Sequence, residues 1–300
     1  MKCAEWRIRL SLWRRYAAEM IQPGGMIATA TGHVQTRSIP ATRTDGPDPP
    51  TLVLLSGMGV PASSWFTAEE EPIVAQMMRE PVFLAPGVAD LTPVLAYDRA
   101  GIGGSAPPTA PRGLNEAVAE LEAVLKACAP GPVVLLGHSI GGLIAFEFTR
   151  RFPGRVSGLT LLDSSHPCQA ERLNAVRTPQ QQRAQQDMEQ EIKAGHPERW
   201  DFEKVFRRGG DLQGTLPDLP LLVISRGQPF LPEHLTTDEQ APFTPAQAGG
   251  FTREWNALQS ELALASSQGR RVVATGSGHY PHFDEPRLVL REVRAFLETL

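Results

Sequence analysis

Residues 133–145 read VVLLGHSIGGLIA, and the break inside this stretch decides the fold. Val133 to Leu136 form a short unbroken apolar run, the pattern of a strand buried on both faces of a parallel sheet. From Gly141 to Arg151 a helix is predicted. Between them, Gly137-His138-Ser139-Ile140-Gly141 has the form G-x-S-x-G, which sets a serine at a sharp strand-to-helix corner. Such a corner strains the serine backbone, so the positions two residues to each side must be small, as Gly137 and Gly141 are. A serine-capped, glycine-rich helix start would share this composition. The strand before and the helix after favour Ser139 as a nucleophile, with helix N-terminal N–H groups facing a developing anion.

Outward from this corner the chain alternates. MIATATG and HVQTRSI (26–39) predict a short opening hairpin, and TLVLLSG, PVLAYDR, VSGLTLLD, LPLLVISRG and RRVVATG are further apolar runs that end in turn residues. Leu114, Ala117, Val118, Leu121 and Leu125 share one helical face, and Val289, Val293, Phe296, Leu297 and Leu300 mark a terminal helix. Strand and helix in alternation predict an α/β fold, with a mostly parallel central sheet and helices on both faces. Its core takes in residues 26–166 and 218–300. Residues 167–217 lack a strand signal and include the polar helical stretch ERLNAVRTPQQQRAQQDMEQEIKAG (171–195), which predicts a helical cap over the carboxyl edge of the sheet. Residues 1–25 form an N-terminal extension. There Trp6, Leu10, Trp13, Ala17 and Ile21 recur at helical spacing with arginines mostly off the stripe, an amphipathic helix that either packs on the body or faces a membrane surface or partner.

Composition narrows the function. The 300 residues are 41% hydrophobic and 21% charged, with a formal charge of −4, so no basic footprint for nucleic acid is expected. Cys3, Cys128 and Cys168 lack CxxC spacing, which predicts neither a disulfide framework nor a zinc site, and no metal or organic cofactor is expected. No run approaches the ~18 apolar residues that span a bilayer, and Arg7, Arg9, Arg14 and Arg15 interrupt any secretory apolar core. The expected location is the cytoplasm. Oligomeric state has no signal.

A serine hydroxyl becomes an effective nucleophile only beside a base, and that base needs an orienting acid. Of the seven histidines, His279 is best placed, because VVATGSGHYPHFDEP joins a strand, a glycine-rich loop and a terminal helix at the sheet edge that carries Ser139. His282 is the competitor. His138 adjoins Ser139 with its side chain directed away and reads as structural. His33, His196 and His234 have no comparable strand-end context, while His166 is a candidate lining residue.

The order strand, Gly-x-Ser-x-Gly, helix, cap, strand, Gly-His, helix resembles the α/β-hydrolase fold superfamily over residues 26 to 300. LLSGMGVPASSW (54–65) resembles its oxyanion loop, with Ser56 where a histidine is usual, Gly57 retained and Met58 in the donor position beside Ile140. YDRAGIGGS (97–105) is similar to its Asp-Arg-x-Gly-x-Gly-x-Ser turn. GHSIGG, LLDSSHP and SGHYPHFDEP are most similar to bacterial esterase-like members with a small helical cap. In much of the superfamily the acid follows the strand read here as LPLLVISRG, but Gly227 is followed by Gln228-Pro229-Phe230-Leu231-Pro232, without a carboxylate. The resemblance therefore leaves Asp163, at the end of LTLLD, as the first candidate, and Glu233 and Asp238 as alternatives.

These readings predict a serine hydrolase that cleaves a carboxylic ester or lactone of a small molecule. Ser139 attacks, His279 moves the proton, Asp163 orients the imidazole, and the N–H groups of Met58 and Ile140 receive the oxyanion. Gly57, Trp65, Phe66, His166, Trp200 and Phe230 are candidate pocket residues, the aromatic ones as apolar walls. Amide or carbon–carbon bond cleavage on the same residues, and a ligand receptor on a hydrolase scaffold, are the alternatives.

Overall fold

A computed structural model describes residues 21–42, 48–67, 76–206, 210 and 212–300. The amphipathic helix expected over residues 4–21 lies outside these, Ile21 excepted. The chain opens with an antiparallel hairpin, β1 (Gln22–Thr29) and β2 (Gly32–Ile39). It continues through β3 (Thr51–Leu55), α1 (Leu84–Val88), β4 (Val94–Tyr97), α2 (Leu114–Cys128), β5 (Val133–His138), α3 (Ile140–Arg151) and β6 (Val156–Leu162). Between β6 and the next strand come α4 (Gln169–Asn174), α5 (Pro179–Gly195) and α6 (Phe202–Val205). The chain then forms β7 (Leu221–Arg226), α7 (Pro232–Leu235), α8 (Pro245–Ala263), β8 (Gly269–Ala274), α9 (Pro281–Asp284) and α10 (Pro286–Leu297).

The strands make one sheet in the order β1-β2-β4-β3-β5-β6-β7-β8, antiparallel as far as the β2–β4 pair and parallel from β4 onward. Every residue of β5 and β7 is buried, as expected for strands covered on both faces. Side chains alternate between two cores. Val53, Val133 and Leu135 pack with α2 and α3 on one face, whereas Leu52, Val134 and Leu136 pack with α1 and α10 on the other. No helix among the described residues is long and apolar enough to cross a membrane.

Three expectations change. The first strand begins at Gln22 rather than Met26, with a register break between Pro23 and Met26 that absorbs Gly24 and Gly25. The polar stretch 171–195 is two helices. Pro179 cannot continue a helix from the residues before it, so it opens α5, and Thr178 caps the new start by accepting the Gln181 N–H. The long helix α8 went unread, although Phe251, Trp255, Leu258 and Leu262 lie on one helical face and are all buried.

The parallel strands end nearly level. Leu55 pairs with Gly137, His138 with Leu162, and Leu162 with Ile224, so the loops after β3, β5, β6 and β7 emerge at one edge. The loop after β8 joins them there. In open α/β sheets this is the edge outside which ligands bind.

Candidate active site

Ser139 stands between β5 and α3 with φ 54° and ψ −125°, a backbone state that costs a residue with a side chain about 1–3 kcal/mol. Its surroundings enforce it. The Ser139 N–H donates to Leu162 O and its carbonyl accepts from the Ser165 N–H, so the end of β6 holds the corner from both sides. A Cβ on Gly137 would lie 2.4 Å from Gly141 O, and one on Gly141 would lie 2.4 Å from the carbonyl oxygens of Leu55 and Ser56. The two glycines are therefore required by close backbone approach.

Three side chains from separate loops meet at this corner. His279 Nε2 lies 3.0 Å from Ser139 Oγ, and His279 Nδ1 lies 2.7 Å from Asp163 Oδ2. A carboxylate only accepts, so Nδ1 carries the proton of the neutral ring and the Nε2 lone pair faces the serine hydroxyl. Asp163 follows β6 at φ 37° and is fully buried. Its second oxygen accepts from the Trp255 indole N–H at 2.8 Å and the Arg226 backbone N–H at 3.0 Å. Three donors thus surround a carboxylate that water does not reach, which offsets much of the cost of burying its charge.

His138 supports the arrangement from below. Its Nε2 donates to the carbonyl of His279 at 2.7 Å, which leaves Nδ1 as a buried acceptor with no hydrogen-bond partner among the described residues. Burial holds this imidazole well below its ordinary pKa, helped by the neighbouring His282 and His279. Burial also pushes His282 down to about 3, with His279 contributing. His282 stacks on Trp65 rather than approaching Ser139, so it does not compete with His279.

The remaining candidates separate clearly. Glu233 is exposed on the four-residue helix α7, and Asp238 accepts from the Gln240 N–H; Asp163 holds the position against His279 that either would have to occupy. Gly57 adjoins the corner, since a Cβ there would lie 2.7 Å from His138 Nδ1 and 3.4 Å from Ser139 Cβ. Met58 follows it, and Ile140 opens α3, where a first-turn N–H has no acceptor within its own helix.

Three of the aromatic candidates are buried in packing, and Phe230 is partly buried. Trp65 and Phe66 are buried in the core beside β3, with the Trp65 indole N–H donating to Ser56 Oγ at 2.8 Å. Trp200 is buried under the Arg112 guanidinium. Phe230 lies under the Arg226 guanidinium and edge-on to Trp255 and Phe251. His166 is fully buried, and its Nδ1 accepts from the Cys168 N–H. Apolar side chains pack well wherever two layers meet, so their type alone does not mark a cavity. Sequence reading missed Trp255, whose helical stripe was nevertheless legible, and the partners of Arg99 and Glu198, which were not.

Fold, corner and histidine loop define the class. The chain belongs to the Alpha/beta hydrolase family, whose model matches residues 52–292. It is 27% identical over 240 residues to the uncharacterized protein YqjL of Bacillus subtilis (strain 168), covering 80% of each chain. Among solved structures it is similar to the enol-lactonase of Burkholderia xenovorans LB400, with TM-score 0.59 and 18% identity over 91% of this chain and 100% of that one. The carboxylesterase CesB (YbfK) of Bacillus subtilis is also similar, with TM-score 0.56 and 14% identity over 98% of both chains. At these identities the two structures establish the shared fold.

Proposed function

We propose that this chain is a serine hydrolase that cleaves a carboxylic ester or lactone of a small molecule through an acyl-enzyme. The observation that carries the reading is the unbroken line Ser139 Oγ, His279 Nε2, His279 Nδ1, Asp163 Oδ2, at 3.0 and 2.7 Å, with the serine held at a strained corner. In the first half-reaction Ser139 Oγ attacks the substrate carbonyl while His279 Nε2 takes its proton. The carbonyl oxygen becomes an anion between the N–H groups of Met58 and Ile140. Asp163 stabilises the imidazolium, which then protonates the leaving alkoxide. Water repeats the sequence on the acyl-serine and regenerates the hydroxyl. The helices of residues 167–217 serve as the cap. The fold is shared with an enol-lactonase and a carboxylesterase, which puts esters and lactones first in the substrate panel.

The test is a panel of p-nitrophenyl esters, small lactones and anilides, with a fluorophosphonate as covalent probe. We expect turnover of esters or lactones, labelling confined to Ser139, and loss of both in Ser139→Ala. Unchanged turnover in Ser139→Ala overturns the reading, and activity on anilides alone would move it to amide cleavage.

A further inference from the structure

The loop that carries Met58 is held by buried charge. Arg99, two residues beyond β4, is buried with its guanidinium against this loop: NH1 donates to Ser56 O at 2.6 Å and NH2 to Gly57 O at 2.7 Å. Nε and NH2 also donate to the Glu198 carboxylate, at 2.8 and 3.1 Å. Glu198 comes from the segment between β6 and β7 and is fully buried. Its Oε1 accepts the Gly59 N–H at 2.7 Å, and its Oε2 accepts from Arg112 NH2 at 3.0 Å. Arg112 in turn pairs with buried Glu120 at 3.0 Å, so two cations and two anions close a neutral set.

Burial opposes the charges of Arg99 and Glu198, and pairing prevails. Desolvation pulls Arg99 down, but the charge and hydrogen bonds of Glu198 outweigh it and leave its pKa raised. Desolvation pushes Glu198 up, but Arg99 and Arg112 bring it below the ordinary carboxylate range. The backbone is fitted to the contact: a Cβ on Gly101 would lie 2.1 Å from Pro197 O, and Gly59 has φ +71°.

Peptide geometry gives this clamp a consequence for the reaction. The carbonyl of Gly57 and the N–H of Met58 belong to one planar unit and point in opposite directions. A cation fixed on the carbonyl therefore fixes the direction of the N–H and polarises it. The other side of Gly57 faces His138 and Ser139. We propose that Arg99, oriented by Glu198, is a positioning residue that aims the Met58 N–H at the anion formed in the reaction. The inference rests on the serine-hydrolase reading above. It assigns the segment between β6 and β7 a part in transition-state stabilisation that is separate from covering the substrate.

The experiment compares full-length Arg99→Lys and Glu198→Gln with the wild type. Lysine keeps the charge but cannot span two carbonyls and a carboxylate, and glutamine keeps shape and one acceptor without the charge. Active sites are counted by end-point fluorophosphonate stoichiometry, so unfolded protein does not enter the rates. Per titrated site, we expect kcat on a p-nitrophenyl ester to fall by about 10- to 100-fold, short of the roughly 100- to 1,000-fold that outright loss of an oxyanion donor costs, with KM within about twofold. Affinity for an aryl trifluoromethyl ketone, whose adduct carries the oxyanion, should fall by the same factor, while affinity for the product carboxylate holds. Should Arg99→Lys fail to fold by circular dichroism, Glu198→Gln carries the same comparison alone. A kcat per site unchanged within about twofold, or equal losses of ketone and product affinity, overturns the inference. Absence of Ser139 labelling in the wild type instead overturns the serine-hydrolase reading.

Discussion

Two neighbouring strand ends of this molecule solve one problem in different ways. β5 and β6 lie side by side, and each is followed by a residue with a side chain at positive φ, Ser139 at 54° and Asp163 at 37°. At the first corner the room comes from the local sequence, because Gly137 and Gly141 let backbone approach within distances no Cβ allows. At the second it comes from afar: the Trp255 indole on α8 and the Arg226 N–H at the end of β7 hold the Asp163 carboxylate, and the Asp163 N–H donates to Ile224 O. Strain written into consecutive residues is visible as a motif. Strain balanced by distant partners is not.

The sharpest way to test this contrast is to remove the charge at the second corner. Asp163→Asn should lower kcat by about 10,000-fold on an activated ester, through loss of imidazole orientation and imidazolium stabilisation, whereas exposed Glu233→Gln should leave it within about twofold. Comparable losses in both would move the acid beyond β7.

The first corner is tested through its glycine. Gly141→Ala drives a Cβ against the Leu55 and Ser56 carbonyls and should cost about 3 kcal/mol of stability in urea denaturation. Beside the second corner, Ser164→Ala removes a hydroxyl bond to Ser165 O and should cost about 1 kcal/mol. Equal costs would mean that the close approach at Gly141 is no more demanding than a hydroxyl bond between neighbouring residues.

Trp255→Phe keeps the ring but deletes the donor to Asp163 Oδ1, leaving one carboxylate oxygen with the Arg226 N–H alone. Loss of a buried hydrogen bond to a charge predicts about a tenfold fall in kcat with KM preserved, read from steady-state kinetics. No change would mean that the second corner does not depend on α8.

A last effect is one of pH. His282 is pushed from 6.5 to about 3 in the folded chain, so between these values the unfolded chain takes up a proton that the folded one refuses. Its contribution to stability is therefore complete above pH 6.5 and is lost as pH falls toward 3. His282→Asn should flatten the loss of unfolding free energy below pH 6.5 by about 1.4 kcal/mol per pH unit. Parallel curves for variant and wild type would exclude His282 as the source.

Much of this protein was legible before its structure. The apolar runs gave the strands, the glycines gave the corner and Ser139, and the glycine-rich segment before His279 marked the loop that meets that corner. These signals share a cause: residues adjacent in sequence must satisfy each other sterically, and that leaves a local pattern. The split of the polar stretch at Pro179 was legible too, because proline cannot donate the N–H a continuing helix needs.

Tertiary structure alone decided which carboxylate meets His279, which aromatic side chains are simply core, and how Arg99 reaches the loop before Met58. Asp163 and His279 are 116 residues apart, and Arg99 and Glu198 are 99 apart. Their pairing depends on the order in which strands enter the sheet and on the path of the segment between β6 and β7. No spacing or periodicity records that path. A buried charge selects its partner by geometry in three dimensions, so these contacts become readable only when the sheet brings its strand ends to one edge.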